Sequence, residues 1–188
     1  MRDLTVVIHE LIAVFNRSQI PYALLGGVAV RAYSIPRATY DVDFNLSVQS
    51  SQLPSLFSSI EELGYTIPEA YRGGWIDTVG GMPLVKVRFY VAGKSIDADV
   101  FLTETPFQRS AMSRRVLTEV EGQAAYVVTA EDLILFKLIA DRPRDRIDIA
   151  DILFTQGELD WHYIETWAEK LGILSRWQAA KVEADDKE

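Results

Sequence analysis

The stretch that decides the fold is residues 25–46, LGGVAVRAYSIPRATYDVDFNL. The apolar run at 22–25 predicts a short strand that leads into the turn Gly26-Gly27, and residues 28–33 predict a short helix that ends before Pro36. From residue 39 to residue 46 polar and apolar side chains alternate with period two, which predicts a second strand. Its apolar face carries Tyr40, Val42, Phe44 and Leu46, and its polar face carries Thr39, Asp41, Asp43 and Asn45.

The paired aspartates on that polar face are the first candidates for chemistry. Asp41 and Asp43 are two residues apart, so their carboxylates lie close enough to share divalent cations. Mg²⁺ takes one or two protein carboxylates together with phosphate oxygens of a substrate, and such ions assist phosphoryl displacement. Acids on an exposed edge strand that discourage aggregation show the same pattern. The pair alone therefore leaves both readings open.

Features on either side of the helix make a phosphate site more plausible. Gly26-Gly27 lies between a strand and a helix, where exposed N–H groups and the helix N-terminus could bind a triphosphate. Arg37 and Thr39 lead into the acidic strand and offer a guanidinium and a hydroxyl for phosphate or for fixing Asp41. The alternatives are an ordinary tight turn at the glycines and an ordinary ion pair for Arg37.

A third carboxylate is available on a predicted hairpin. Residues 84–91 and 95–102 alternate and are joined by Ala92-Gly93-Lys94, which predicts two antiparallel strands. Asp97 and Asp99 share one face of the second strand. A carboxylate there would complete a metal site, and it could act as a general base for an acceptor hydroxyl.

The remaining segments predict the overall organisation. Further helices are predicted over 4–18, 50–63, 106–115, 129–141, 146–155 and 161–171, with a strand near 125–128. This mixture predicts an α/β (α+β) fold with a mixed or antiparallel sheet and a helical C-terminal part. We expect a core over 1–120, a C-terminal strand and helices packed on it over 121–179, and a disordered charged tail over 180–188.

Composition excludes several classes of protein. The 188 residues are 48% hydrophobic and 24% charged, as in one globular domain, and contain no cysteine. Disulfides, thiol nucleophiles and thiolate zinc sites are therefore excluded, and any metal must be held by oxygen because the two histidines lie far apart in sequence. The net charge of −8 predicts no tight non-specific DNA binding. No segment has the length and apolar character of a membrane span or a signal peptide, so we expect a cytoplasmic protein without membrane contact.

These motifs together resemble a known superfamily. Leu25-Gly26-Gly27, the segment from Arg37 to Asp43, and Asp99 resemble the minimal nucleotidyltransferases of the DNA polymerase β superfamily. Residues 103–107 and 131–148 are similar to later segments of its abortive-infection toxin branch, so the resemblance covers about residues 20–155. It implies the nucleotidyltransferase fold, with a mixed, largely antiparallel sheet flanked by helices.

The resemblance also implies a reaction and its residues. A nucleoside monophosphate would pass from an NTP to a hydroxyl, with Mg²⁺ or Mn²⁺ held by Asp41, Asp43 and Asp99, and Asp97 is the fallback for the third acid. Nucleotide binding is implied for Gly26, Gly27, Arg37, Thr39, Lys137 and Asp148, with Lys137 on the phosphates and Asp148 orienting the site. The alternative for Lys137 is a lysine that extends its ammonium to solvent from a buried helix, and Asp148 could simply pair with nearby arginines. Many relatives have Gly-Ser where this chain has Gly26-Gly27, so backbone N–H groups would have to suffice.

Three functions follow from this interpretation. The leading prediction is a toxin of a toxin–antitoxin or phage-defence pair, acting on RNA such as tRNA or on a protein, with a cognate antitoxin as partner. Six arginines could line a local RNA groove, namely Arg109, Arg114, Arg115, Arg142, Arg144 and Arg146. The first alternative is an antibiotic-modifying transferase, since a cationic acceptor suits an acidic protein. The second is a non-catalytic nucleotide-binding or interaction module, which the intact acids disfavour.

Overall fold

The computed structural model describes residues 3–72, 77–79, 81–91 and 94–185. The strands in these ranges are β1 (Tyr22–Leu25), β2 (Val42–Leu46), β3 (Asp77–Val79), β4 (Met82–Val91), β5 (Lys94–Leu102), β6 (Val116–Val120) and β7 (Gln123–Val127). The helices are α1 (Leu4–Arg17), α2 (Gly26–Tyr33), α3 (Leu53–Glu61), α4 (Pro106–Arg114), α5 (Ala130–Ala140), α6 (Pro143–Thr155), α7 (Trp161–Lys170) and α8 (Leu174–Asp185). Short 3-10 turns precede α3 and β3 at Ser50–Gln52 and Glu69–Tyr71.

One mixed sheet organises the described part of the chain. Its seven strands follow the order β3-β4-β5-β2-β1-β7-β6. The pairs β2–β5 and β1–β7 are parallel, and the other four neighbouring pairs are antiparallel. The predicted α/β class with a mixed, largely antiparallel sheet and a C-terminal helical segment is confirmed. Strand β2, which carries Asp43, lies between β1 and β5 near the middle of the sheet.

Apolar packing fixes the central strands. Every residue of β1 is buried, and α1 turns an apolar face with Val7, Leu11 and Phe15 inward. The ring of Phe15 meets that of Phe44 on β2 edge to face, with 5.1 Å between centroids. The carboxyl end of β1 and the amino end of β2 therefore adjoin a closely packed apolar core.

The C-terminal helices pack on this core through α5. Helix α5 buries residues all around its axis, including Leu133, Ile134 and Phe136, and it contacts α2, α6 and α7. The predicted boundary at 120/121 falls in the turn between β6 and β7, which pair with each other in the same sheet. No helix in the described ranges combines the length and the apolar character needed to cross a membrane.

The structure differs from the sequence-based expectation in four elements. Strand β2 begins at Val42 rather than at 39, and Tyr40, expected on the apolar face, is 74% exposed, because the Thr39 hydroxyl bonds to Asp41 and the alternation stops there. Strands β3 and β6 were not expected. The tail expected to be disordered from 180 is helical through Asp185, because Trp177 and Ala180 of α8 belong to the apolar core. Residues 186–188 lie outside the described residues.

Candidate active site

Strand register brings two of the predicted acids side by side. Asp43 on β2 is paired in register with Asp99 on the parallel strand β5, and on its other side with Leu25 at the end of β1. Asp41 immediately precedes β2. Asp97 lies two residues before Asp99, toward the Asp41 end of the same strand face. This register favours Asp99 over Asp97 as the partner of Asp43.

Each hairpin acid has a cation directly across from it on β4. Lys86 faces Asp99, and its Nζ donates to Asp99 Oδ1 at 2.6 Å. Arg88 faces Asp97, and its Nε donates to Asp97 Oδ1 at 2.8 Å. Asp43, in contrast, accepts no hydrogen bond from any residue in the described ranges. Two of the four carboxylates therefore carry a protein cation, and Asp41 and Asp43 do not.

The turn Gly26-Gly27 lies close to Asp43 and Thr39. Gly26 has a φ of +65°, and a Cβ atom there would lie 1.8 Å from Asp43 Oδ2. A Cβ atom on Gly27 would lie 2.4 Å from Thr39 Oγ1. Both positions thus require glycine, the first also for its backbone conformation. A serine at position 27 would collide with Thr39, which accounts for Gly-Gly in this chain.

The Thr39 hydroxyl fills the space above Gly27 and fixes an acid. Its Oγ1 donates to Asp41 Oδ1 at 2.7 Å. Thr39 is almost fully buried. Thr39 therefore links the glycine turn to the first carboxylate, as the sequence suggested it could.

Burial and like charge make these carboxylates attractive to cations. Burial raises the pKa of Asp43 to about 7, and the carboxylates of Asp41 and Asp99 act in the same direction. Burial also raises the pKa of Asp99, although the hydrogen bond from Lys86 opposes the rise. A cation bound at this face would favour the ionised form of both groups.

A chain of alternating charges lies behind the glycine turn. Asp148 is 0% exposed, and its two oxygens accept from Arg37 Nε at 2.6 Å and from Arg37 Nη2 at 2.7 Å. Lys137, 3% exposed, donates to Asp148 and to Asp145 Oδ1, the latter at 3.2 Å. Asp145 in turn accepts from Arg142 Nε at 2.7 Å.

The buried middle of this chain decides how Asp148 and Lys137 can act. Both oxygens of Asp148 are engaged inside the protein, so it can act on a nucleotide only by orienting Arg37 and Lys137. Burial opposes ionisation of Asp148, but the bonds from Arg37 and Lys137 outweigh it and hold its pKa below the usual range. Lys137 does not extend its ammonium to solvent. Contact between Lys137 and phosphate remains a prediction.

Two cavities meet at Asp99. The first, of about 140 Å³, is named the glycine pocket; it has an apolar floor with Leu133 and Phe136 and a polar rim with Gly26, Asp43, Asp99, Lys137 and Arg142. The second, of about 420 Å³, is named the acidic groove; its lining includes Thr39, Tyr40, Asp41, Lys86, Asp97, Asp99 and Arg144. Because Asp99 borders both, groups bound in the two cavities would approach each other at its carboxylate.

The donor atoms at this face fit a hard divalent cation. Asp41, Asp43 and Asp99 offer carboxylate oxygens, the ligands that Mg²⁺ prefers. Within the described ranges no three acidic or histidine side chains form a complete metal cage as they stand, and Thr39 and Lys86 each engage one of these acids. Mg²⁺ needs only one or two protein carboxylates when substrate phosphates supply further ligands. The residues therefore fit an ion whose coordination is completed by substrate.

The six arginines that could line a local RNA groove engage different parts of the protein. Arg142 borders the glycine pocket, Arg144 borders the acidic groove and donates to Ala38 O at 3.1 Å, and Arg146 pairs with Asp141 beside α8. The other three bond elsewhere: Arg114 to Glu131 and Asp132, Arg115 to Met112 O, and Arg109 to Glu104 O.

Lys86 was missed by the sequence analysis. Its partner depends on hairpin register, and the observed pairing of Val91 with Lys94 sets Lys86 opposite Asp99. The expected three-residue connection, with the second strand starting at Ser95, would set Lys86 opposite Val100 instead. A two-residue connection at Ala92-Gly93 is the signal that could have found it.

Comparison with known proteins identifies the family. Residues 2–185 match the family described as "Nucleotidyltransferase of unknown function (DUF6036)". The chain belongs to this family. No curated protein matches the transferase at the level of sequence. The predicted nucleotidyltransferase enzyme is thereby confirmed at the level of the superfamily, whereas nothing supports the abortive-infection branch in particular.

Solved structures similar in fold to this transferase include those of an antibiotic-resistance factor and of a lincosamide adenylyltransferase. The solution structure of the antibiotic-resistance factor ANT(2″)-Ia matches with a TM-score of 0.51 and 15% identity, over 97% of this chain and 95% of that one. The crystal structure of ANT(2″)-Ia with adenylyl-2″-tobramycin matches with a TM-score of 0.52 and 17% identity, over 95% and 97%. The lincosamide antibiotic adenylyltransferase LnuA, bound to lincomycin, matches with a TM-score of 0.54 and 14% identity, over 79% and 96%. At these identities the likeness is one of fold.

Proposed function

We propose that this enzyme transfers a nucleoside monophosphate from a nucleoside triphosphate to a hydroxyl of a small cationic acceptor and releases pyrophosphate. The observation that carries the proposal is the position of Asp99, which lies in register with Asp43 and borders both cavities. Two cavities that meet at one carboxylate suit a reaction between two bound substrates.

In this proposal the nucleotide binds on the glycine side. N–H groups of the Gly26-Gly27 turn and the charges of Lys137 and Arg142 would attract its phosphates. Thr39 packs against Gly27 of this turn, and the Arg37 guanidinium lies beside Thr39 at the same glycine. Bound Mg²⁺ or Mn²⁺, held by Asp41, Asp43 and Asp99, would polarise the α-phosphate and offset its developing charge.

Asp99 serves as the general base. It accepts the proton of the acceptor hydroxyl while that oxygen attacks the α-phosphorus. The new phosphorus–oxygen bond forms as the bond to the bridging oxygen of the β-phosphate breaks, and pyrophosphate leaves with the electron pair. Asp43, adjacent in the sheet, stays ionised to hold the cation.

A small cationic acceptor suits the groove. Its volume of about 420 Å³ lies in the range of small-molecule sites. Asp41 and Asp97 line it, and the whole chain carries a net charge of −8. Structures similar in fold hold adenylylated tobramycin and lincomycin, which supports an acceptor of this size.

Transfer to tRNA or to a protein, by a toxin with a cognate antitoxin, is the second candidate. The observation that favours it is a pair of exposed apolar side chains on α6, Ile147 and Phe154, that a partner protein could cover. The dispersed arginines disfavour a large RNA footprint.

The test is transfer of label from each α-³²P NTP with Mg²⁺ to three acceptor classes: aminoglycosides and lincosamides, total RNA, and total protein. We expect label on a small acceptor and a loss of about a hundredfold or more in Asp43→Asn, because a charge that stabilises the transition state is removed. Asp97→Asn removes a carboxylate from the same face and is the matched control, expected to lose less than about tenfold. Label on RNA or protein alone would redirect the proposal to the toxin, and equal rates in wild type and Asp43→Asn would contradict the site.

A further inference from the structure

Lys86 lies across from the third acid, Asp99, and the proposed reaction gives this lysine no role. Lys86 Nζ lies 2.6 Å from Asp99 Oδ1, and both side chains are about one quarter exposed. No described residue donates a hydrogen bond to Asp99 Oδ2. Lys86 thus engages one oxygen of the carboxylate and leaves the other available at the junction of the two cavities.

The positive charge of Lys86 offsets repulsion among the neighbouring carboxylates. Asp41, Asp43, Asp97 and Asp99 share one region of the sheet face, and like charges at this spacing repel. Arg88 compensates Asp97, and Lys86 compensates Asp99. Among the described residues, Asp41 is hydrogen-bonded only by the neutral Thr39 hydroxyl, and Asp43 forms no ion pair. A divalent ion is therefore expected first at Asp41 and Asp43, with Asp99 already neutralised by the protein.

We propose that Lys86 is a positioning residue that holds the Asp99 carboxylate beside Asp43 and occupies the cation position on it until the metal–nucleotide complex binds. The expected effect of Lys86 on catalysis rests on the proposed function. The expected effect of Lys86 on metal affinity does not depend on any acceptor. Lys86 and the metal ion compete for the same carboxylate, so Lys86 weakens metal binding to the protein alone.

The adjacent ion pair supplies a matched control. Arg88 and Asp97 form the same kind of cross-strand pair two residues further along the hairpin, also partly exposed. Removing either pair should cost little stability, since ion pairs that solvent reaches contribute little to folding. Lys86→Met and Arg88→Met therefore differ in which carboxylate they release.

The experiment measures Mn²⁺ affinity without nucleotide, by electron paramagnetic resonance of the free ion, and then kcat and KM with NTP and acceptor. For Lys86→Met we expect about tenfold tighter Mn²⁺ binding, because a third carboxylate is released to the ion, and about tenfold lower kcat with KM for NTP changed less than threefold. Arg88→Met should match wild type in Mn²⁺ affinity, and Lys86→Arg should restore it.

Two readouts separate the inference from the proposed function. Mn²⁺ affinity of Lys86→Met within twofold of wild type would overturn the role of Lys86, whatever the activity. Absence of transfer by the wild type to every acceptor would count against the proposed function, while tighter Mn²⁺ binding by Lys86→Met would still support the cation role. Lys86→Gln, which keeps a polar side chain without the charge, repeats the test if Lys86→Met does not give the wild-type circular dichroism spectrum.

Discussion

Gly26 is the residue on which the geometry of the acids depends most directly. Its φ of +65° is open to glycine at little cost, and the space where a side chain would stand holds the carboxylate of Asp43. Gly172, between α7 and α8, has a φ of +69°, and apart from Gly172 and its two chain neighbours no described residue has an atom within 4 Å of the point where a Cβ atom would stand. Gly172 therefore has the same left-handed backbone conformation as Gly26 but no carboxylate beside it. Alanine variants of the two glycines thus distinguish the effect of backbone strain from the effect of displacing Asp43.

At Gly26 we expect the alanine variant to lose transfer. Gly172→Ala should lower the free energy of unfolding by about 1–2 kcal/mol, the cost of the left-handed conformation, and keep its rate. Gly26→Ala should cost more than that and lower the rate about a hundredfold or more, because Asp43 must move away from the cation site. Denaturant unfolding and initial rates of labelled transfer measure both effects. Equal rates for the two variants would mean that the position of Asp43 is not critical.

Among the elements, the loop before β2 and the helices α5 and α6 are joined by a charge cluster, in which the partly exposed Arg37 meets the buried Asp148, Lys137 and Asp145. The helices bring Lys137 and Asp148 together from positions eleven residues apart. Removing one partner of a buried ion pair costs about 3–5 kcal/mol, because the other charge stays buried without compensation. The cluster therefore fixes how the helical segment sits against the glycine turn.

Because the pKa of Asp148 is lowered in the folded protein, the contribution of this cluster to stability falls at low pH. An unfolded aspartate has a pKa of about 3.9, so below that pH the unfolded chain binds the proton that folded Asp148 still rejects. The contribution of Asp148 to stability is therefore complete above about pH 4 and is lost as pH falls through the lower folded value. We expect Asp148→Asn to lose about 3–5 kcal/mol at pH 7 and to show a shallower fall in stability below about pH 4 than wild type.

Asp151→Asn is the control for this prediction. Asp151 lies on the same helix, and its carboxylate forms no ion pair with the described residues. Its variant should keep the stability and the acid slope of wild type in denaturant unfolding at a series of pH values. Parallel acid slopes for wild type and Asp148→Asn would contradict the role assigned to the cluster.

The elements also mark how far the fold and the site could be predicted from sequence. The proximity of Asp43 to the glycine turn could be predicted because strand alternation and turn chemistry are local. The pairing of Lys86 with Asp99 could not be, because a change of one residue in the hairpin connection moves the lysine from Val100 to Asp99. The engagement of Asp148 with Arg37 depends on packing across 111 positions of sequence, which no local pattern encodes.

In the molecule as a whole, one core extends from α1 to α8. Trp177 on α8 is 0% exposed and its ring lies 5.5 Å from that of Trp161 on α7. Its indole N–H is one of the few buried side-chain polar atoms, among the described residues, that lack a hydrogen-bond partner. Trp177 is therefore held by apolar packing, and the final helix is part of the core although its sequence reads as a polar tail.

Substitution of Trp177 tests whether that core unfolds as one unit. We expect Trp177→Ala to lower the free energy of unfolding by about 3–5 kcal/mol, because a large cavity opens between α7 and α8. Trp177→Phe should cost clearly less, because it keeps most of the ring contact and removes the unpartnered N–H. If the chain is cooperative, far-ultraviolet circular dichroism and tryptophan fluorescence will give coincident transitions in both variants. A separate early transition of the C-terminal helices in Trp177→Ala, with the main transition unmoved and transfer retained, would instead show that α8 is dispensable to the core.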